Sequence, residues 1–491
     1  MNEFMADSSA TSVTSVSAPS DGLSGAFRGI GGLGWRVLAA LAGGLILRLW
    51  MWTAFPQGSG DGLIYGNLAQ NIVQHGQFAM SDGSGVLHSS LIRLPGYPLF
   101  LALCFRVFGV QNYTAVGYFQ IFLELAGCLL LADFVRHIRT PRAGLNTLWI
   151  SAMCPFIAVY ASAPMTESLT FDMICLALWS LERYLRSNPS NGTKIQSNRW
   201  PWLLLFTAAV SAAATLRPDG ALIAFALWPA LIFSHGSAPF TPTLSKAMLC
   251  GVLAVLPFGA WAVRNWQVFH VFEPLAPRYA NEPGELPHIG WQHWVKTWCL
   301  DFSCTSEVYW NAPDGPVSMD DLPDSAFDSA EQKQATQALL ADYNVNQDLT
   351  PAIDDRFEAL ADQRTSTHPL RTWVWMPLGR LADMTLRPRV ENLTIDLRWW
   401  EYYKHHAETK FSVAYGFVNL LYLALGIAGL CLKPRFWPYM TAYLVLRCLL
   451  LLTIEAPETR YTLEFFPVFF ATGGIALQRI FSRWPRTSSA V

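Results

Sequence analysis

Long apolar stretches alternate with short polar ones along this chain, and one long polar interval, about 267–408, interrupts the series. A membrane span needs about 18 or more apolar residues, and runs such as 143–163 and 246–263 reach that length. Apolar segments lie near 36–55, 96–110, 113–135, 143–163, 167–184, 201–216, 220–235, 247–266, 411–432, 437–454 and 462–480. Each is predicted to be helical, because a bilayer core offers backbone groups no water to bond. The pattern predicts an all-α polytopic membrane protein with about 10–11 transmembrane helices and a small, mostly helical extracytoplasmic insert.

Basic residues orient the path, since short cytoplasmic loops concentrate Lys and Arg. The clusters are Arg28 with Arg36; Arg136, Arg139 and Arg142; Arg183, Arg186, Lys194 and Arg199; Lys433 with Arg435; and Arg479, Arg483 and Arg486. Placing all of them in the cytoplasm requires one segment not to cross. The weakest is 96–110, which is short, has Pro95 just before it and Pro98 at its start, and carries Arg106 within it. The predicted organisation is then a disordered cytoplasmic tail (1–34), a membrane module (35–266) with a first outer loop (56–95), the insert (267–408), C-terminal spans (409–482) and a cytoplasmic tail (483–491). In the insert, aromatic groups at Trp291, Trp294 and Trp298, at Trp373 and Trp375, and at Trp399, Trp400, Tyr402 and Tyr403 are predicted to rest at the membrane–water boundary, which Trp and Tyr favour.

Composition agrees. The chain is 52% hydrophobic and only 14% charged, where a soluble protein carries about a quarter charged residues. A net charge of −2 gives no reason to expect nucleic acid. Nine cysteines are scattered without metal-site spacing, so most read as small buried side chains. Cys299 and Cys304 sit in the insert and are candidates for a disulfide if it faces an oxidising compartment. Three Asn-x-Thr sequons occur, at Asn112, Asn191 and Asn392.

On this topology most charged groups that abut apolar runs without a basic cluster fall on one side of the membrane, and charge at membrane depth is a functional hypothesis by default. The first outer loop reads SGDGLIYGNLAQNIVQHGQF. Ile64, Leu68 and Ile72 recur every four residues, as in an amphipathic surface helix. Asp61 precedes them, either as its N-cap or as a general base. The stretch LIRLPGYPLFLALCFRVFG is a proline turn feeding an apolar segment. In ASAPMTESL, Thr166 and Glu167 either cap a helix or place a carboxylate at the outer face. His75 and His88 read as solvated loop histidines, and Lys404–His406 as a polar boundary before the next span.

Taken in order, these stretches resemble the GT-C membrane glycosyltransferases, in the branch of the dolichyl-phosphate-mannose–protein mannosyltransferases and their bacterial relatives acting on lipid A or envelope polysaccharide. The likeness rests on Asp-x-x-x-Tyr-x-x-Leu-Ala in the first loop, Arg-x-Pro-Gly-Tyr-Pro-Leu-Phe-Leu with a terminal Phe-Gly, then Thr-Glu-Ser-Leu, Leu-Arg-Pro and a late Glu-x-Arg-Tyr. It implies a polyprenyl-phosphate sugar donor, an envelope glycolipid, glycan or protein acceptor, and an inner (plasma) membrane enzyme whose site faces the periplasm or exterior. It implies catalytic roles for Asp61, as the base that deprotonates the acceptor hydroxyl, and for Glu167, the second acidic position, either orienting the acceptor or binding a metal. Arg93, Arg217, Arg264 and Arg460 are the candidate phosphate partners, because guanidinium forks match phosphate oxygens. Tyr65, Tyr97, Glu458 and Tyr461 are candidate substrate contacts. One departure stands out: Asp61 is followed by Gly62, where the eukaryotic protein mannosyltransferases have paired acids. That makes protein a poorer acceptor and leaves a divalent metal open, with no other cofactor implied. The competing readings are a ligase or polymerase moving a lipid-linked oligosaccharide, and a transporter or flippase. Transporters favour repeated halves with midplane sites, whereas no repeat is evident here.

Overall fold

The computed structural model describes residues 34–56, 60–187, 199–233, 240–313 and 315–483. Most of the N-terminal tail, all but one residue of the C-terminal tail, Arg28, Lys194, Arg486 and the sequon at Asn191 lie outside these residues. Helix α1 (Gly34–Ala54) leads to the first outer loop, which holds α2 (Asp61–His75) and a hairpin of β1 (Ala79–Ser81) and β2 (Leu87–Ser89). The hairpin pairs Ala79 with Ser89 and Ser81 with Leu87. The sequence reading missed it, because three-residue strands leave no alternation long enough to see. Asn71 of α2 fastens it by donating to the Ala79 carbonyl at 2.8 Å.

Next come α3 (Gly96–Phe108), α4 (Tyr113–Ile138), α5 (Pro141–Ala152), α6 (Thr166–Arg186), α7 (Trp200–Leu216), α8 (Leu222–Phe233) and α9 (Phe240–Phe269). The apolar run 143–163 is not one helix. It breaks at Cys154–Pro155, where proline removes an amide donor and disfavours helix in the residue before it. Helix α3, 13 residues long, rises only about 20 Å, short of the ~30 Å hydrocarbon core; it packs against α2. Among the described residues five helices are long and apolar enough to cross a membrane, and four shorter apolar ones accompany them. With almost no strand, this is an all-α polytopic membrane protein.

Two buried ionic ties hold the bundle. Arg48 of α1 donates to Glu124 of α4 at 2.9 and 2.6 Å and to the Ala152 carbonyl of α5 at 2.7 Å. Ser168 of α6 donates to the other Glu124 oxygen at 2.9 Å. Both charges are buried, where losing one partner strands the other in a medium that solvates it poorly. The second tie centres on Arg447 in α15 (Trp437–Leu451). It reaches Asp219 at 2.6 Å and Glu464 at 2.7 Å. The final helix, α16 (Phe466–Arg483), packs against α14 (His406–Cys431) and α5.

Between α9 and α14 the insert contains α10 (Ile289–Lys296), α11 (Ala330–Asn346), α12 (Pro351–Thr367) and α13 (Met376–Leu386). It has a core of its own, built on Trp291, Trp294, Trp298, Tyr343 and Phe357. That corrects the expectation for its first aromatic group. Trp291 and Trp294, three apart on α10, share one helical face, Trp298 follows in the turn after it, and all three fill a protein interior, not a lipid boundary. Trp373 and Trp375, by contrast, are 65% and 66% exposed. Cys299 and Cys304 are joined by a disulfide. Of the other cysteines, Cys104, Cys128, Cys154, Cys175 and Cys250 are buried, while Cys431 is exposed.

Candidate active site

At the end of the bundle covered by the first loop and the insert, a cavity of about 560 Å³ opens. Asp61 stands in its wall as the first residue of α2. It is not the helix cap: Gly60 holds that place, with φ +65. Freed from capping, the carboxylate takes two guanidinium groups. Arg93 Nη2 donates to Oδ1 at 2.8 Å, and Arg460 Nη1 donates to Oδ2 at 3.0 Å. Burial raises the Asp61 pKa, but Arg460 and Arg93 together outweigh burial, so the carboxyl titrates below its ordinary range.

Glu167 lines the same cavity as Asp61. Met165, not Thr166, precedes α6 as its cap, so Thr166 and Glu167 both lie in the first turn. Glu167 Oε1 accepts from Arg217 Nη1 at 3.0 Å and lies 3.6 Å from Arg460 Nη1. Arg460 therefore touches both candidate acids. It also donates to Glu458 at 3.2 Å, and Tyr461 donates its hydroxyl to the same carboxylate. Tyr65 lines the cavity and packs edge-on against Tyr97, with ring centres 5.0 Å apart.

Two expected site residues lie elsewhere. Arg264 spends its donors on the backbone, giving Nη1 to Ser90 O at 2.8 Å and Nη2 to Phe78 O at 2.7 Å. Its guanidinium is sandwiched among Phe78, Trp261 and Phe269. It fastens the first loop to α9 at the mouth of an adjoining apolar groove. Tyr97 is fully buried and donates to Gln120 at 2.8 Å, beneath Tyr65 and outside the cavity. His75 and His88 are not among the cavity residues; His88 is exposed and pairs with Asp82 at 3.0 Å.

The structure adds residues that sequence reasoning passed over. Asp219 accepts from Arg217 Nε at 3.1 Å and from Arg447 Nη1 at 2.6 Å. Glu464 sits 3.4 Å from Arg217 and 2.7 Å from Arg447. Charged residues inside apolar runs were the available signal for Arg447 and Glu464. Arg278 and Trp310 reach the cavity from the insert, and nothing in their polar surroundings marked them.

The missing second acid also has a steric reason. A Cβ on Gly62 would come within 2.8 Å of Pro164 Cγ, so α2 can press against the turn before Glu167 only with glycine there. Every carboxylate lining the cavity is matched to a guanidinium, which suits an anion that trades places with a carboxylate better than a bare cation. Among the described residues no group of three His, Cys, Asp or Glu side chains is arranged to hold a metal ion.

Residues 93–262 match the model of the dolichyl-phosphate-mannose-protein mannosyltransferase family. That interval carries Arg93, Glu167 and Arg217. Among solved structures, the archaeal oligosaccharyltransferase AglB from Archaeoglobus fulgidus, in complex with an inhibitory peptide and a dolichol-phosphate, superposes with a TM-score of 0.50 at 12% identity. The match covers 93% of this chain and 51% of that one, so the chain spans about half of AglB. The fold is that of the GT-C membrane glycosyltransferases. ArnT from Cupriavidus metallidurans, bound to undecaprenyl phosphate, is also similar, at 15% identity over 91% of this chain and 79% of its own, with a TM-score of 0.40. No curated protein sequence matches. Within the GT-C fold the paired acids and arginines occupy the junction of the first loop, α6 and the final span.

Proposed function

We propose that this chain transfers a sugar from a polyprenyl-phosphate carrier to an acceptor hydroxyl at the non-cytoplasmic face of the inner (plasma) membrane. The observation that carries the proposal is Asp61 held between Arg93 and Arg460, with Glu167 and Arg217 beside it, in a cavity that adjoins an apolar groove. Leu94 lines the cavity, and Pro95 and Gly96 line the groove. The groove, about 690 Å³, runs between α3, α7 and α9. It gives a lipid tail a lateral entry, while the phosphate reaches the arginines.

The chemistry follows from the charge arrangement. Attack of a hydroxyl on an anomeric carbon needs a base for the proton and positive charge for the leaving phosphate. Before the donor arrives, Arg93 and Arg460 share the Asp61 carboxylate, and Arg460 also pairs with Glu458. An entering phosphate competes for the same guanidinium forks. As they turn to it, Asp61 loses two cationic neighbours, and its basicity rises when a base is needed. The acceptor hydroxyl then gives its proton to Asp61, its oxygen bonds to the anomeric carbon, and the carbon–phosphate oxygen bond breaks with the electron pair leaving on phosphate. Single displacement inverts the anomeric centre. Glu167 keeps Arg217 and Arg460 aimed at the phosphate.

A strain lacking the gene, restored with wild type or with Asp61→Ala, tests the reading. Envelope glycolipids and glycans are compared by mass spectrometry at equal membrane levels of protein. Loss of one sugar mass on deletion, restored by wild type alone, is expected. An unchanged glycan profile on deletion overturns the transferase reading; full restoration by Asp61→Ala overturns the role of Asp61.

A further inference from the structure

We infer that Arg447, which lies outside the cavity, is a positioning residue that keeps the charge of Arg217 available to an incoming phosphate. This rests on the transferase reading above and deepens its account of phosphate binding. Arg447 is fully buried on α15. Its Nη1 holds one oxygen of each of two carboxylates, Asp219 Oδ2 at 2.6 Å and Glu464 Oε2 at 2.7 Å. The other oxygen of each faces Arg217, whose Nε lies 3.1 Å from Asp219 Oδ1 and 3.4 Å from Glu464 Oε1. The four side chains close a ring in which cation and anion alternate.

The ring sets how much positive charge Arg217 can present. A third carboxylate, Glu167, already takes its Nη1 at 3.0 Å and is shared with Arg460 at 3.6 Å. Without Arg447, both Asp219 and Glu464 would fall on Arg217 as well, and so much negative charge around one guanidinium repels an approaching anion. With Arg447 in place, each carboxylate divides its charge between two cations. Arg447 is not among the cavity residues, so its effect on a phosphate there passes through its neighbours.

A second contact ties the ring to Arg460. Arg447 Nη2 donates to the carbonyl of Tyr461, the residue after Arg460, at 2.5 Å. The Tyr461 ring lies 5.6 Å from the guanidinium carbons of both Arg217 and Arg460. Tyr443, on the same helix as Arg447, donates to Glu464 at 3.4 Å. One buried side chain on α15 thus fixes the turn after α7 that carries Asp219 and the segment that carries Arg460.

The test is native mass spectrometry of the full chain in detergent, titrated with undecaprenyl phosphate and with undecaprenol as its uncharged reference. Wild type should hold undecaprenyl phosphate over undecaprenol, and Arg217→Gln should hold it less tightly. Arg447→Met alone strands a buried carboxylate, so the comparison is made with Glu464→Gln present, which leaves Asp219 and Arg217 matched. Glu464→Gln by itself should bind undecaprenyl phosphate more tightly than wild type. Adding Arg447→Met should weaken that binding about tenfold, the scale of one hydrogen bond to a charged group. Arg447→Lys in its place should recover most of the loss, and undecaprenol should bind every variant as it binds wild type. Equal phosphate binding with and without Arg447, an equal loss of undecaprenol, or no recovery with lysine overturns the inference. If wild type does not prefer undecaprenyl phosphate to undecaprenol, or if Arg217→Gln binds it as tightly as wild type, the donor reading itself fails, whatever the Arg447 variants do.

Discussion

Arg460 reaches Asp61 at 3.0 Å across 399 positions of chain. The same guanidinium nitrogen lies 3.6 Å from Glu167, so one cation from the last span aligns both candidate acids. Replacing Asp61 by Asn keeps the size of the side chain and removes the proposed base. Transfer is expected to fall by about 10²–10⁴, measured as product formed in proteoliposomes supplied with lipid-linked donor. Because Asp61 pairs with both Arg93 and Arg460, Asp61→Asn should also lower the melting temperature, so transfer is compared at equal levels of folded protein.

The pH profile should follow Asp61. Its carboxyl is held below the ordinary range, with Arg460 and Arg93 overcoming burial. The base is thus ionised throughout the neutral range, and activity is lost only as pH falls through that lowered pKa. Replacing Arg93 by Gln removes one of the two cations, so the acid limb of kcat/KM should move to higher pH. An acid limb that stays in place in Arg93→Gln would detach Asp61 from the proton transfer.

Gly62 is the position that excludes a second acid. Gly62→Ala brings a Cβ to 2.8 Å from Pro164 Cγ, and overpacking of this kind costs about 1–3 kcal/mol. Gly62→Asp should therefore lower thermal stability and activity together, without conferring metal dependence. A stable, active Gly62→Asp variant would show that the turn at Pro164 yields.

The Arg48–Glu124 pair should behave asymmetrically. Arg48→Met alone leaves a buried carboxylate uncompensated, at a cost of about 3–5 kcal/mol. Adding Glu124→Gln should recover most of that loss, since neither charge is then stranded. Thermal unfolding in detergent of both single variants and the double variant measures the difference.

On the proposed orientation the Cys299–Cys304 disulfide faces an oxidising compartment. In intact cells these thiols should resist maleimide until a reductant is added. Labelling without reduction would place the insert on the cytoplasmic side and invert the proposed orientation.

The bundle was legible because length and apolarity alone specify a span, as for α1, α4 and α14. The motif residues Asp61, Arg93, Glu167, Arg217 and Arg460 were marked by their order and converge on one cavity. Arg264 lines the adjoining groove and not the cavity, a distinction hidden in sequence because an arginine at the end of an apolar run looks the same whether it faces a ligand or caps carbonyls. Trp291, Trp294 and Trp298 were misjudged by weighing composition over their helical spacing. Arg278 was illegible, since only the folded insert carries it to the cavity.

Arg447 has a consequence for how the protein is made. An apolar helix carrying an arginine inserts at a penalty, up to about 2.5–3.5 kcal/mol on the translocon scale for a charge at the helix centre. Its two partners, Asp219 and Glu464, lie on opposite sides of it in the order of synthesis. Asp219 has already been made when α15 emerges from the ribosome, and Glu464 follows within the next segment. The early half thus offers the late hairpin a waiting counter-charge, and integration of the last two helices becomes a templated step in which the finished bundle selects its own closing pair.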